Sequence, residues 1–305
     1  MNLHRRSLLA SLAVAGAFAS RSAAAQVALQ DHAGRRVEIR DVSRIVAIGG
    51  SVTEIVFALG AGDQLVGVDS TSLYPAAAAR LPQIGYMRQI AAEGVLSLRP
   101  SLILSTTAAG PPAAFDQLRA TGVPTLVLAD VYDFESVLHK IEIIGRALGR
   151  EEAANQLMAT RRDAMATLSA KLARVARQPK VLSLLSVSQG PPQAAGRATA
   201  ADGIIRLAAG QNVVNSYDGY RPITAEGAVS LAPDVIMVSA QTLRTLGDTD
   251  GVLASSSLSQ TPAGRARRIF ALDALLLLGF GPRTPEAAVQ LAGFLHPDLD
   301  RTNTR

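Results

Sequence analysis

The side chains able to hold a metal or prosthetic group are few. The 305 residues contain five tyrosines, four histidines, no cysteine and no tryptophan. Tyr86 draws attention first, because it stands in Gly85-Tyr86-Met87-Arg88. A deprotonated phenol is a hard, anionic oxygen donor. Its free pKa lies near 10, so it needs a neighbouring positive charge to ionise at neutral pH. Arg88, two residues on, is placed to supply one. On these four residues alone, an ordinary loop aromatic beside a surface charge is the better reading. The histidines (His4, His32, His139, His296) all fall outside Gly/Pro-rich loops. Without cysteine there is no disulfide, thiolate-bound zinc, iron–sulfur cluster, thiol nucleophile or lipidated cysteine. A clustered His/carboxylate metal site is also missing from the sequence pattern. Ser51 in GGSVTE is the one candidate nucleophile. An exported hydrolase would need a base and an orienting acid beside it. No histidine is linked to it by motif, and Gly-Gly-Ser-x-Thr reads more simply as a helix cap.

These residues must be positioned by a duplicated frame. Ile90 to Leu104 reads IAAEGVLSLRPSLIL and Ile223 to Val238 reads ITAEGAVSLAPDVIMV. Each copy is a short helix with an acid in its first turn, Glu93 or Glu226, then a proline and a buried-strand run. An acid there suits the helix dipole whatever else it does. A repeat so widely spaced predicts two lobes of similar build rather than a solenoid.

Around the first copy, strands are predicted at 44–48, 64–68, 101–105 and 124–128, with helices over 52–59 and 115–120. Ser51 or Thr53 is expected to cap the first helix. Strands alternating with helices argue for a parallel α/β sheet. A helix over 134–148 should break at Gly149. A long helix follows in the Gly- and Pro-free stretch 150–178, a stiff connector. Beyond it, strands are expected at 180–187, 234–239 and 268–272, and helices at 199–209 (stopped by Gly210) and 285–295. The Gly/Pro-rich 188–196 and polar 211–222 read as loops. The expected division is 1–25 export signal, 26–149 first lobe, 150–178 connector, 179–305 second lobe.

The hydrophobic fraction of 48% and charged fraction of 18% suit two real cores. Net charge is +5, and Arg5, Arg6 and Arg21 carry three of those positives in the first 25 residues. The remainder is only +2, and no basic cluster with interleaved aromatics appears, so nucleic acid is not an expected partner. Residues 1–25 combine basic Arg5-Arg6, an apolar run from Leu8 to Ala19 and a small-residue Ala23-Ala24-Ala25 site. This is a secretory pattern, too short to span a bilayer. Cleavage before Gln26 would release a soluble, exported two-lobe protein of the periplasm.

IGGSVTEIVFALGAGDQLVGVDSTS (48–72), LPQIGYMRQIAAEGVLSLRP (81–100), TAADGIIRLAAGQN (199–212) and GYRPITAEGAVSLAPDVI (219–236) together resemble the substrate-binding proteins of bacterial haem-uptake ABC transporters. They belong to the helix-linked group that also serves vitamin B12 and siderophores. The resemblance implies an α/β fold of two lobes with mainly parallel central sheets, one connector helix and a ligand cleft between the lobes. It implies that Tyr86 ligates ferric haem iron, a known haem mode, and that Arg88 supports it or pairs with a propionate. It also implies that Glu93 and Glu226 meet an inner-membrane permease with its ATPase. An outer-membrane haem receptor system would lie upstream, and the protein would act as a monomer without catalysis. Some relatives add a second-lobe histidine. This chain has Ser186, Val187, Ser188 and Gln189 there, so a five-coordinate haem is expected. Relatives also place an arginine beside the tyrosine, and here either Arg244 or Gln241 takes that place. Tyr220 is a further cleft residue; Tyr74, Tyr217 and Arg197 are weaker ones.

Overall fold

A computed structural model describes residues 27–186, 192–254 and 257–299. The export segment, Val187–Gln189 and the chain from 300 onward lie outside the described residues.

The first lobe begins with an antiparallel hairpin, β1 (Val27–Gln30) and β2 (Arg36–Ile39). A four-stranded parallel sheet follows: β3 (Ile45–Ile48), β4 (Leu65–Val68), β5 (Leu102–Thr106) and β6 (Thr125–Leu128), in the order β4-β3-β5-β6. Every residue of β3, β5 and β6 is buried, as the unbroken apolar runs require when helices cover both faces. The helices are α1 (Gly50–Ala58), α2 (Ala92–Ser97), α3 (Pro112–Ala120) and α4 (Phe134–Leu148). Asp133 caps α4 by accepting from Ser136 N at 2.7 Å, and left-handed Gly149 ends it.

The long helix α5 (Glu151–Leu172) lies between the lobes. Ala154, Met158, Met165 and Leu168 form its buried seam. It packs on α4 of the first lobe and on α12 (Thr284–Leu295) of the second. It stops six residues short of the sequence expectation. Beyond Leu172 the side chains at helical spacing are largely exposed, so no tertiary packing supports another turn.

The second lobe comprises β7 (Lys180–Ser186), β8 (Gln193–Ala195), α6 (Ala200–Leu207), β9 (Gln211–Asn212), β10 (Tyr220–Pro222), α7 (Ala225–Ser230), β11 (Val235–Ser239), α8 (Ala240–Thr245), α9 (Thr249–Ala254), α10 (Pro262–Arg265), β12 (Ile269–Leu272), α11 (Ala274–Leu278) and α12. β7, β11 and β12 run parallel, and β9 joins β7 in parallel. β8 and β10 add an antiparallel edge. The two segments read as loops therefore contain strands. Buried Asn212 explains part of this: its Nδ2 donates to Ala195 O at 3.1 Å and to Asp202 Oδ1 at 3.1 Å, tying β9 to β8 and α6. Backbone ladder bonds and the Asn212 side chain, not an apolar run, hold this edge. The stop after α6 is also made differently: Ala209 adopts the left-handed conformation (φ 54°), not Gly210.

The duplication extends to the backbone. Arg99 and Ala232, equivalent residues before Pro100 and Pro233, both take left-handed φ, at 48° and 45°. Their amides bond to Leu96 O and Val229 O, again equivalent positions. The caps differ. Thr224 accepts from Gly227 N at 3.1 Å, whereas Ala91 offers α2 no side-chain cap.

The two lobes share an apolar core. One cluster of buried side chains runs from Leu29 and Ile45 through α4 and α5 to Ala201, Phe280 and Leu295. Burial on this scale resists rearrangement, because packed interiors do not deform continuously. An ion pair reinforces the junction. Glu54 on α1 is 4% exposed; its carboxylate accepts from Arg283 Nη2 at 2.8 Å and from Arg283 N at 3.2 Å. The Arg283 guanidinium lies 3.6 Å from the centre of the Tyr74 ring, a cation–π contact. Burial works against the Arg283 charge, but Glu54 prevails and holds its pKa above the ordinary arginine value.

Candidate ligand cleft

The carboxyl ends of both parallel sheets face one another, the usual ligand position in open α/β sheets. Between them lies a cavity of about 640 Å³, within the range of small-molecule sites. At the carboxyl ends of β3, β4, β5 and β6 the chain supplies Ser51, Thr71, Thr106 and Asp130 to its lining. The ends of β7, β11 and β12 deliver Leu185, Gln241 and Leu275.

Tyr86 and Arg88 line this cavity on the first lobe's side. Their loop is held from both flanks. Gly85 O accepts from Ser70 N at 2.8 Å, and Met87 O accepts from Gly110 N at 2.9 Å. Gly85 has φ 97°, a conformation costly for any residue with a Cβ. The chain thereby turns to present Tyr86, which stays 45% exposed. Leu73 and Leu185, 50% and 45% exposed, also line the cavity. Exposed apolar side chains gathered in one cleft mark a binding surface.

Ser51 reaches the cavity but has neither a histidine partner nor the expected capping role. Asp69 takes the cap from twenty residues away: its Oδ1 accepts from Gly49 N at 2.7 Å. Its Oδ2 accepts from Thr71 N at 2.8 Å, and Thr71 Oγ1 in turn accepts from Gly50 N at 3.2 Å. Thr53, also expected as a cap, pairs with the Ser72 hydroxyl at 2.7 Å. The α1 N-terminus is thus satisfied by a carboxylate acceptor, favoured by the dipole, and Ser51 needs no cap function.

Tyr220 lines the cavity from the second lobe and Tyr132, which sequence reasoning missed, lines it from the first. Burial pushes the Tyr132 phenol up to about 12, with the Asp130 charge adding to the rise and Arg88 opposing it. Burial likewise raises Tyr220, against the pull of Arg88 and of hydrogen bonds from Ala201 and Thr199. Both phenols therefore remain protonated donors at neutral pH. The signal that could have found Tyr132 was its place directly after a parallel strand, 125–128, where α/β sites gather.

Other expected residues fall elsewhere. Arg244 is exposed and does not line the cavity. It lies in the last turn of α8, whose first turn faces the cleft, so Gln241 and not Arg244 reaches the cavity. Gln241 Nε2 donates to Asp273 Oδ2 at 3.0 Å, and its Oε1 accepts from Ala274 N at 3.1 Å. Tyr217 donates to Ala194 O at 3.3 Å and stacks under Arg221, away from the cavity lining. Arg197 pairs with exposed Asp218 at 2.8 Å. Tyr74 serves the Glu54–Arg283 junction. Glu93 and Glu226 are exposed in the first turns of α2 and α7, apart from the cleft lining. A wider hollow of about 780 Å³ lies where β7, β11 and β12 begin, and none of the expected site residues reaches it.

Residues 45–276 match the family model described as periplasmic binding protein, and the chain belongs to that family. An uncharacterized ABC transporter substrate-binding lipoprotein of Bacillus subtilis, YvrC, is 29% identical over 89% of this chain and 86% of its own length. A vitamin B12-binding protein of Yersinia pestis is 28% identical over 64% of this chain and 69% of its own. Among solved structures, the periplasmic heme-binding protein RhuT from Roseiflexus sp. RS-1, in apo form, superposes with a TM-score of 0.81. It is 39% identical and covers 85% of this chain and 100% of its own. The periplasmic heme-binding protein BhuT in complex with two hemes gives 0.79, at 42% identity over 84% and 98%. The two-lobed α/β architecture expected from the sequence is the architecture these proteins share. No described helix is long and apolar enough to cross a membrane.

Proposed function

We propose that this chain captures ferric haem in the cleft between its lobes and delivers it to an inner-membrane ABC permease. The observation that carries the reading is Tyr86: an exposed phenol with Arg88 beside it, in a cavity whose other walls are largely apolar. A flat macrocycle needs apolar walls for its faces and one hard donor for its iron, and tyrosine ligation of haem supplies that donor. Arg88 stabilises the phenolate or meets a propionate; Tyr220 contributes from the second lobe. Glu93 and Glu226, one on each lobe, are the acids that dock on the permease. The mature chain starts near Gln26 after export and works in the periplasm as a monomer, with lobes at 26–149 and 179–305 and the connector at 150–178.

Titration of the mature protein with hemin tests this. The expected result is a saturable complex with a phenolate-to-iron charge-transfer band that Tyr86→Ala loses. Saturable binding unchanged in the variant sinks the ligand assignment. The likeness to vitamin B12-binding proteins favours a second reading, a corrin or siderophore cargo. Such a cargo needs no axial phenolate, so saturable cyanocobalamin binding without hemin binding would select it.

A further inference from the structure

We infer that Tyr132 is a ligand-contacting residue that donates a hydrogen bond to a carboxylate of the cargo, and that the buried Lys140–Asp130 pair positions it. This deepens, and rests on, the haem reading of the same cleft.

The phenol of Tyr132 lines the cavity within electrostatic reach of Arg88, Tyr220 and Asp130. Its hydroxyl has no hydrogen-bond partner among the described residues, so a donor is left facing the cleft. A guanidinium and a neutral phenol from the first lobe, with a second neutral phenol from the other, form a receptor for an anionic oxygen. The ring cannot turn away. Phe280 of the second lobe meets it edge to face, with ring centres 5.4 Å apart. Gly203 lets the two residues meet this closely: a Cβ there would stand 2.3 Å from Tyr132 O, 2.7 Å from Phe280 Cζ and 2.9 Å from Tyr132 Cβ.

The loop bearing Tyr132 is fixed residue by residue. Asp130 N donates to Thr107 Oγ1 at 2.9 Å, and Asp130 Oδ2 accepts from Ala108 N at 3.0 Å. Val131 O accepts from Ser136 Oγ, and Tyr132 O accepts from Arg206 Nη2 at 3.4 Å. Beneath the loop, Lys140 Nζ lies 3.4 Å from Asp130 Oδ1, with the lysine side chain 1% exposed. A fully buried lysine charge is costly unless it is paired; burial lowers the Lys140 pKa, and Asp130 opposes that fall. Here the lysine cancels the Asp130 charge in the cavity wall, which would otherwise repel an approaching carboxylate. A donor fixed in advance loses little freedom on binding.

The test compares hemin with its dimethyl ester, which lacks ionised carboxylates, on the same mature protein. Wild type is expected to prefer the free acid. Tyr132→Phe, which keeps the ring against Phe280, should weaken hemin about 10-fold and leave the ester unchanged. Lys140→Met should also weaken hemin selectively, and Lys140→Met/Asp130→Asn should restore it. A purely structural role would weaken both ligands together, which overturns the proposal, as does unchanged hemin binding by Tyr132→Phe. If wild type binds neither compound, the haem reading itself fails and this inference falls with it.

Discussion

The two lobes are built on one plan and carry unequal chemistry. Each has a parallel sheet, a short acid-started helix and the same left-handed residue before a proline. Yet the first lobe contributes Tyr86, Arg88, Thr71, Asp130 and Tyr132 to the cleft, while the second contributes Leu185, Ala200, Leu275 and Leu278 with Tyr220 and Gln241. Duplication supplied the frame, and the loops after the strands diverged. One lobe became the polar receptor and the other mostly an apolar wall.

The junction gives the largest expected effect. Arg283→Met leaves Glu54 buried without its partner and should cost about 3 kcal/mol, read by urea unfolding; Glu54→Met/Arg283→Met should recover much of it. If the single variant is neutral, the lobes are held by the shared core alone. Next, Tyr86→Ala should weaken hemin on the order of 100-fold or more, since even supporting groups of a metal ligand matter at that scale. Tyr220→Phe should fall well short of that, measured in the same titration. Equal losses would erase the asymmetry between lobes.

The pH dependence is smaller and has a definite sign. Tyr132 titrates near 12 when folded and near 10 when unfolded. Its contribution is present in full below pH 10 and is lost as pH rises from 10 through 12. Across that window wild type should therefore lose stability relative to Tyr132→Phe, read as unfolding free energy against pH. Smallest are the caps. Thr224→Ala should cost about 1 kcal/mol, and Ala91→Ser should recover a comparable or smaller amount for α2, both by thermal unfolding. A neutral Thr224→Ala would mean that packing alone sets this helix start.

Much of this was legible in the sequence. Continuous apolar runs such as Ile45–Ile48 and Val235–Ser239 read directly as buried strands, and Gly149 as the break before α5. The second-lobe edge was not legible. Gln193–Ala195 and Tyr220–Pro222 pair through backbone bonds between polar, proline-bearing segments, and nothing periodic marks them. The Asp69 cap was hidden by distance, because helix caps are sought next to the helix. Tyr86 stood out through its tetrapeptide. Tyr132 did not, since its role depends on Gly203 and Phe280, some seventy and more residues later.

The shared core and the Glu54–Arg283 contact also bear on how the molecule spends its time. A binder with freely swinging lobes must wait for, or drive, closure, and its apparent affinity is reduced by the fraction that is closed. Lobes joined by one core and a buried ion pair are expected to receive cargo without such a wait. Uptake should then be a one-step encounter, and stopped-flow binding should show a rate that follows cargo concentration with no plateau from a slow closing motion.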